Sequence, residues 1–541
     1  MATTADDTVA GERTWAGFAA LLLAAFLVVV DFSLAGTVVP DMVRDLHIRA
    51  EDASLALTLY LVVAASLMVV FGRLADRFGR RRLLVGALVV FGAGGIITGL
   101  ASGLSMLIFG RAVQGLALGA ALPIGLGVVN TTFPVGDARR TRALGLWAAT
   151  IGFAAAIGPL AGGAVAEVSS WRVAFLAVVP VALLAAGLLS VYLTETGPET
   201  REVAAQIDFG GAVLLAAGMG LVFYAIDEGP RRGWLVPIGG GFPVIAVILA
   251  AGVATLAGFI VRERRWALRG RTGLLPTGLF RSRSFSASVS AAALMSFGDT
   301  GATLIVPLLA VFALDYDSIQ AGFVLAAFGV GIGVGGLVAP HLGGRVENRL
   351  TAVVSLLVMA GLLAALVPLV SVGRSGSVIA GVLFAYGIAW AVSYATIVGL
   401  SFTDVAVGDS AVAGGVQSSL RLLAGALGAL LVAVIFSTIA GNRITSAVDR
   451  VPNLTRGQRA HLVAVAEHSS TSVGGDTSFG TDAPSDRATL AQADPTLGAT
   501  AREAFASGSR VAFVLMAAIT GLAAAVVTFV PRHRRGAASS G

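Results

Sequence analysis

Long apolar stretches dominate this 541-residue sequence and constrain its fold more than any other feature. An α-helix needs roughly 20 apolar residues to cross the hydrocarbon core of a bilayer. Hydrophobic residues make up 56% of the chain and charged residues only 13%, which is too little polar surface to cover a water-soluble core. We therefore predict an all-α polytopic membrane protein. Its fourteen spans lie near residues 15–38, 54–72, 83–101, 104–130, 143–167, 171–192, 209–227, 238–262, 284–314, 318–340, 350–371, 376–402, 412–439 and 510–530. The first is too long for the apolar region of a signal peptide and should remain as a span.

The remaining composition excludes several classes of function. The chain has no Cys, which excludes thiol catalysis and Cys-ligated metals, and its five His residues show no ligand spacing. No phosphate-binding G-x-x-x-x-G-K-[ST] motif, zinc-protease motif or serine-hydrolase motif stands out. The net charge is +6, but the basic residues lie in short runs between apolar stretches, which argues against nucleic acid as a partner. We expect no metal, no cofactor and no enzymatic activity.

The placement of Arg predicts the orientation in the membrane. The loops after spans two, four and eight and the C-terminal tail are rich in Arg, whereas the loops on the opposite side hold few. The rich side carries Arg73, Arg77, Arg80, Arg81, Arg82, Arg139, Arg140, Arg142, seven Arg between residues 262 and 283, Arg532, Arg534 and Arg535; the poor side carries Arg44, Arg49, Arg172, Arg231, Arg232 and Arg374. Because basic loops stay in the cytoplasm, we predict a multi-pass protein of the cytoplasmic membrane with both termini inside the cell.

One long segment, residues 441–509, is not apolar. Its middle, residues 469–486, is rich in Ser, Thr, Gly and Asp, a composition that cannot bury a core and is typical of disorder. The flanking stretches 454–466 and 499–506 could form short amphipathic helices at the outer surface. The segment is either a tolerated insertion, which we favour because long loops cost little, or an external cap that contacts a partner.

The strongest local motif is Gly-Arg-Leu-Ala-Asp-Arg-Phe-Gly-Arg-Arg-Arg at residues 72–82, between spans two and three. A merely basic loop does not explain an acid, Asp76, among five Arg. Asp76 can accept hydrogen bonds from an Arg or from a helix N-terminus. Gly72 allows close packing and Gly79 permits a turn with positive φ. We expect this cluster, with Arg77 and Arg80, to hold two helix bundles together and to release them when the protein changes state.

This loop resembles the signature loop of the major facilitator superfamily, and further motifs follow in that family's order. Asp31, nine residues before Pro40, resembles the first-span motif of its drug/proton antiporters. The fourteen spans resemble the larger antiporter branch, although Gly36 stands where the family often has Asn. Two more motifs match: Arg111-Ala112-Val113-Gln114-Gly115 in span four, and Gly152, Gly158, Pro159, Gly162 and Gly163 in span five.

The second half of the chain carries a degenerate copy of the signature loop. Residues 340–345 align with residues 72–77, with Arg345 against Arg77 and Gly344 in place of Asp76. The offset of eight spans implies a major facilitator fold of two six-helix bundles with two inserted central helices. The predicted divisions are a cytoplasmic tail (1–14), a first bundle (15–192), the inserted spans and loops (193–283), a second bundle including the insertion 441–509 (284–530), and a cytoplasmic tail (531–541).

Two acids lie inside predicted spans, where a carboxylate is costly and is a candidate functional group. The resemblance makes Asp31 the proton-coupling carboxylate, with Arg111 as its partner if spans one and four face one cavity. The alternative is a purely structural pair. Asp299 in span nine has no motif around it, so it could bind a cationic substrate or a second proton, or equally hold two helices together.

Gln114, Trp147, Trp390 and Tyr394 are further candidates for the substrate cavity. Trp390 and Tyr394 lie four residues apart and hence on one helix face, which suits flat or cationic ligands. Aromatic residues in spans more often pack or anchor the helix at an interface. The glycines of span five allow close helix packing and Pro159 bends the helix, which would favour one set of alternating-access states.

The resemblance implies a proton-coupled antiporter that exports amphipathic, drug-like small molecules by alternating access. Its expected partners are a small-molecule substrate, protons and the lipid bilayer, and a monomer is sufficient. One alternative is an exporter dedicated to one metabolite or lipid. Another is a membrane receptor on a transporter fold, to which the long segment 441–509 would contribute.

Overall fold

Helices account for nearly all of the computed structural model, which describes residues 3–48, 50–133, 137–195, 208–232, 243–269, 273–275, 277–312, 318–343, 347–370, 376–450 and 495–531. Within these ranges, fourteen helices are long and apolar enough to cross a membrane, as predicted. A short additional helix, α2, follows the first span. The helices are α1 (Thr3–Thr37), α2 (Val39–Leu46), α3 (Ala50–Phe78), α4 (Arg80–Gly99), α5 (Leu104–Thr132), α6 (Ala138–Val168), α7 (Trp171–Tyr192), α8 (Phe209–Arg232), α9 (Val244–Leu268), α10 (Arg283–Phe312), α11 (Ser318–Gly343), α12 (Asn348–Leu369), α13 (Gly376–Ser401), α14 (Ser410–Arg450) and α15 (Pro495–Val527).

The spanning helices form two bundles of six, which confirms the predicted fold class. In the first bundle α1 packs against α6 and α7, while α4 packs against α5 and α7. In the second bundle α10 packs against α14 and α15, and α12 against α13 and α15. Because helices satisfy their backbone hydrogen bonds internally, their outer faces can lie against lipid. Large apolar side chains such as Phe109 and Leu184 are exposed on these outer faces.

The two inserted helices lie beside the junction of the bundles. Helix α8 packs against α3 of the first bundle and α14 of the second, and α9 packs against α8. Only 17% of the apolar window of α9 is buried, compared with 78% for α5, so α9 is peripheral and α5 is central.

The signature motif is helical rather than a loop. Helix α3 continues through Gly72 and Asp76 to Phe78, and the chain turns only at Gly79, where φ is +102°. Glycine adopts this φ without the steric cost that a side chain would add. Helix α4 then begins at Arg80, so Asp76 and Arg80 lie on two helices joined by one residue.

The predicted non-membrane segments differ in part from the structure. Residues 499–506 are helical, but they belong to the start of the continuous helix α15, so the prediction of a separate short helix there is wrong. Helix α14 extends to Arg450, while residues 454–466 and 469–486 lie outside the described residues. Helix α1 begins at Thr3, within the predicted tail.

The bundles meet closely at the end of the molecule that carries Asp76, which we call the Asp76 end. At Gly72 a Cβ would lie 2.4 Å from the carbonyl oxygen of Ala411 on α14. A Cβ at Gly145 of α6 would likewise lie 2.3 Å from the carbonyl oxygen of Gly336 on α11. Two seams, α3 with α14 and α6 with α11, therefore bring backbones of different bundles into contact at this end.

Candidate functional site

A fully buried polar network joins α1, α4 and α5 in the first bundle. Arg111 Nη1 donates to Asp31 Oδ2 at 2.7 Å and to Gln114 Oε1 at 2.9 Å. Gln114 Nε2 donates to Asp31 Oδ1 at 2.9 Å, and Thr98 Oγ1 donates to Gln114 Oε1 at 3.1 Å. The side chains of Asp31 and Arg111 are 0% exposed. The structure thus brings together the acid and the base that the sequence paired.

Aromatic rings complete the surroundings of Arg111. Its guanidinium carbon lies 4.3 Å from the ring centroid of Tyr60 and 5.4 Å from that of Phe175. The hydroxyl of Tyr60 donates to the carbonyl oxygen of Val28 at 3.0 Å, which fixes the ring. Within the described residues, Arg111 Nε and Nη2 have no hydrogen-bond partner. Among the described side chains, Asp31 is the single anion that contacts the Arg111 cation, which otherwise meets the Gln114 amide oxygen and ring faces, so the network depends strongly on the charge of Asp31.

Two of the cavity candidates, Gln114 and Trp147, are buried in the interior of the first bundle. Gln114 is fully buried and uses its amide within the Asp31 network. Trp147 is 1% exposed, and its ring packs so closely on α5 that a Cβ at Gly125 would lie 2.3 Å from it. Both side chains are in the interior of the first bundle because small residues on the facing helices leave room for them.

A second polar cluster closes the Asp76 end. Asp76 Oδ1 accepts from Arg80 Nη2 at 2.6 Å, and the two carboxylate oxygens accept the backbone N–H groups of Ala411 at 3.1 Å and Val412 at 2.9 Å. These N–H groups belong to the first turn of α14, whose dipole favours an anion. Both kinds of donor predicted for Asp76 are present. Asp76 therefore links its own bundle to the start of a helix in the other.

Arg80 and Arg77 differ in position. Arg80 also donates to Thr131 Oγ1 at 3.1 Å and to the carbonyl oxygen of Val407 at 2.8 Å, so it too contacts both bundles. The guanidinium of Arg77 instead lies 5.8 Å from the ring of Phe78. Of the predicted Arg residues, Arg80 is the ion-pair partner of Asp76.

Sequence reasoning missed a neighbouring ion pair. Arg73 Nη1 lies 3.0 Å from Asp409 Oδ1, just before α14, and Arg73 Nη2 donates to the carbonyl oxygen of Gly273 at 3.4 Å. Glu263 on α9 accepts from the backbone N–H of Leu274 at 2.9 Å. The segment after the inserted helices is thus tied to the Asp76 end. Arg73 and Asp409 lie 336 residues apart, and no local pattern connects them.

The Gly/Pro motif of α6 has members in different roles. Gly152 faces the second bundle, since a Cβ there would lie 2.2 Å from Ile332 on α11. Gly158 and Gly162 face Ser33 and Thr37 on α1, two and six residues after Asp31, whereas a Cβ at Gly163 would meet open space. Pro159 lies inside the helix between these glycines. Only Gly152 of this set occupies the seam between bundles.

In the second bundle, Asp299, Trp390 and Tyr394 lie together. Trp390 Nε1 donates to Asp299 Oδ2, and the rings of Trp390 and Tyr394 are stacked with centroids 5.1 Å apart and planes 7° apart. The guanidinium carbon of Arg421 on α14 lies 4.7 Å from the Tyr394 centroid. The sequence had indicated the acid and the aromatic pair but not Arg421. Gly344 and Arg345, from the degenerate second motif, lie outside the described residues.

Comparison with protein families shows which superfamily the chain belongs to. The model of the Major Facilitator Superfamily matches residues 21–429, which include both polar networks of the first bundle and the cluster around Asp299. The chain belongs to the major facilitator superfamily.

Several named proteins are similar to the chain. It is 32% identical over 349 residues to the puromycin resistance protein pur8 of Streptomyces alboniger, which covers 64% of this chain and 66% of that one. It is 28% identical over 531 residues to a tetracenomycin C resistance and export protein of Streptomyces glaucescens, covering 96% and 91%. The match to an MFS-type transporter of Mycobacterium tuberculosis, Rv1250, spans 56% of that protein's length at 30% identity. The chain thus spans under two thirds of the length of some relatives and nearly all of others.

Solved structures of the superfamily show the same fold. The human organic anion transporter MFSD10 superposes with a TM-score of 0.58 at 14% identity, covering 95% of this chain and 99% of that one. The proton:xylose symporter XylE superposes with a TM-score of 0.55 at 15% identity, covering 96% of each.

The two bundles of this superfamily member each carry an acid within a span, at corresponding places. Asp31 lies on the first spanning helix of its bundle and bonds to the fourth, α5. Asp299 lies on the first helix of the other bundle, α10, and bonds to the fourth, α13. The partners differ: an Arg and a Gln in the first bundle, a Trp in the second.

Proposed function

We propose that the chain is a proton-coupled antiporter that exports amphipathic, drug-like small molecules from the cytoplasm by alternating access. The observation that carries this proposal is the sealed ion pair of Asp31 with Arg111, in a bundle that is latched to its partner bundle through Asp76. A carboxylate within a span that pairs with one cation offers a group whose protonation changes the forces between helices.

The chemistry of the pair supports coupling. While Asp31 is ionised, it binds both Arg111 and Gln114 and holds α1 against α5. Protonation removes its charge and leaves the guanidinium of Arg111 among Gln114 and the ring of Tyr60. A buried cation without its anion is costly, so the protonated bundle favours an arrangement in which Arg111 reaches other groups. Proton binding thereby biases one of two conformations, as antiport requires.

The Asp76 cluster supports a gating role at one end. It joins α3 and α4 of the first bundle to the first turn of α14 in the second, and Arg73 with Asp409 adds an ion pair beside it. The positive-inside rule, applied to the Arg-rich loops, supports a cytoplasmic location for this end. The structure is then closed toward the cytoplasm, and opening to accept substrate requires that Asp76 leave the N-terminus of α14.

The names of relatives support the class of cargo. Similar proteins are named for puromycin resistance and for tetracenomycin C resistance and export. Export of organic molecules of that size suits a cavity between two bundles and needs no nucleotide site, because the proton gradient supplies the work. Placement in the cytoplasmic membrane as a monomer, with both termini inside, completes the proposal.

Transport in a defined system tests the function. Inverted membrane vesicles whose lumen is more acidic than the medium should accumulate ethidium as protons leave the lumen, and collapse of this gradient should stop the accumulation. Asp31→Asn should abolish this accumulation. Asp45→Asn, an equivalent change at an exposed ion pair with Arg172, should retain it. Equal gradient-driven uptake by wild type and Asp31→Asn would show that Asp31 is not the coupling group.

The proposed orientation has its own test. Fusions of a reporter that is active only in the cytoplasm, placed after the C-terminus and within residues 233–242, should be active at the first site and inactive at the second. The opposite pattern would place the Asp76 end outside and reverse the assigned direction of gating.

A further inference from the structure

The second bundle contains a cluster of polar and aromatic side chains that the coupling scheme above does not use. It comprises Asp299 on α10, Tyr386, Trp390 and Tyr394 on α13, and Arg421 on α14; we call it the Arg421 cluster. Trp390 bonds to Asp299 and stacks on Tyr394, and Arg421 lies over both rings, so these side chains of three helices are adjacent.

The Arg421 cluster faces an internal space rather than lipid. Asp299 lies near the middle of α10, yet its side chain is only half-buried, as is that of Arg421. Asp299 is bonded to Trp390 of a second helix and faces Arg421 of a third, which puts it inside the bundle. Its accessible surface therefore belongs to an internal space. The corresponding pair of Asp31 and Arg111 is 0% exposed, so the two halves differ in access.

The cluster has unsatisfied donors but an engaged acid. Within the described residues, Arg421 Nη1 and the hydroxyl of Tyr386 are buried and have no hydrogen-bond partner. Both oxygens of Asp299 are engaged, Oδ2 by Trp390 and Oδ1 by Thr300 at 3.3 Å. Buried donors without acceptors are costly, so a ligand that supplies acceptors gains most here. Asp299 already offsets the charge of Arg421, which leaves no excess negative charge to attract a cation.

The rings position the guanidinium of Arg421. Trp390 and Tyr394 are stacked nearly parallel, and both are buried at 4% and 5% exposure. The guanidinium of Arg421 lies over them, 5.9 Å from Trp390 and 4.7 Å from Tyr394. A guanidinium donates within its own plane, so it presents N–H groups to the edge of a flat molecule beside it.

We propose that the Arg421 cluster binds the substrate through carbonyl or phenolate oxygens on the edge of a planar aromatic system, with Arg421 and Tyr386 as the donors. This inference rests on the proposed transport function and narrows its cargo to flat, oxygen-rich aromatic molecules. Trp390 and Tyr394 hold the guanidinium in place, and Asp299 keeps the site electrically neutral.

Binding without a proton gradient tests this proposal separately from transport. Titration calorimetry on the purified full chain in lipid nanodiscs compares 1,4-dihydroxyanthraquinone with ethidium, a planar cation. Loss of one hydrogen bond to a charged donor corresponds to roughly a 10- to 100-fold weaker affinity. Arg421→Met, which keeps the apolar stem, should weaken quinone binding by about that factor. Tyr386→Phe, which removes only the hydroxyl, should weaken it about three- to tenfold.

Controls make each outcome decisive. Arg139→Met changes an exposed Arg far from the cluster and should bind the quinone as wild type does. Asp31→Asn should lose gradient-driven uptake but keep quinone binding, so failed coupling and a failed substrate site give different results. Unchanged quinone affinity in Tyr386→Phe and Arg421→Met would overturn the proposal. A second result would also overturn it: the wild type binds ethidium but not the quinone, and Arg421→Met raises the affinity for ethidium. That result indicates a cation site at Asp299.

Discussion

Asp31 and Arg111 lie 80 residues apart in the chain, yet their side chains form a 2.7 Å ion pair from which solvent is fully excluded. The pair joins α1 to α5, the most buried of the spanning helices. A buried ion pair contributes little net stability compared with apolar residues, but the loss of one partner leaves an isolated charge. The pair therefore adds little net stability, while the loss of either partner alone is costly.

Arg111→Gln should be more destabilising than the double substitution Asp31→Asn with Arg111→Gln. The single change leaves the carboxylate of Asp31 unpaired, at a cost of about 3–5 kcal/mol, whereas the double change removes both charges. The apparent unfolding temperature of the purified protein in detergent measures this difference. A double variant no more stable than Arg111→Gln alone would mean that charge pairing does not hold this network together.

Asp76→Asn should open the Asp76 end. The change removes the charge that binds Arg80 and the N-terminus of α14. The chain contains no Cys, so spin labels at Phe78→Cys and Val407→Cys, both exposed positions on either side of the latch, give a clean readout. The measured distance distribution should shift to longer values. Asp137→Asn, at an exposed surface pair with Arg139, is the control and should leave the distribution unchanged.

Gly152→Ala and Gly163→Ala should differ although they belong to one motif. A Cβ at Gly152 would lie 2.2 Å from Ile332, and overpacking of this kind costs about 1–3 kcal/mol. A Cβ at Gly163 would meet nothing within 4 Å, and Ala favours the helix. We expect ethidium transport to fall several-fold, as judged by initial rates, in the first variant only. Similar rates would mean that α6 and α11 separate freely at this seam.

Acid should weaken the contact between the two inserted helices, because Asp208, directly before α8, pairs with Arg262 on α9. Burial raises the pKa of Asp208, but hydrogen bonds from Arg262 at 2.7 Å and from the N–H of Gly211 more than offset it, so the pKa lies below its ordinary value. Stabilisation from a depressed pKa is complete above the unfolded value of about 3.9 and is lost as the pH falls through the folded pKa.

The unfolding temperature measured from neutral pH down to about pH 3 should therefore fall more steeply in wild type than in Asp208→Asn, with the difference concentrated below about pH 4. Above that range the wild type should be the more stable of the two. Parallel curves would show that Asp208 and Arg262 do not stabilise the folded state.

The sequence by itself determined the class of fold, the number of spans and the first-bundle pair. Span length follows directly from the thickness of a bilayer, and an acid such as Asp31 is conspicuous because a charge within an apolar stretch is rare. The motif around Asp76 was recognisable because it places an acid among Arg residues. General chemistry predicted which groups would donate hydrogen bonds to Asp76.

Only the tertiary structure decided which partners meet across long distances in the chain. Asp76 binds N–H groups more than 330 residues away, and Arg421 covers Trp390 and Tyr394 from another helix. The tertiary structure also showed that Trp147 packs in the interior, and that Gly152 lies against the other bundle whereas Gly163 borders open space. In a bilayer almost every helix face is apolar, so hydrophobic periodicity carries little information on which face meets which neighbour. That choice depends on close packing between small residues, and packing exists only in three dimensions.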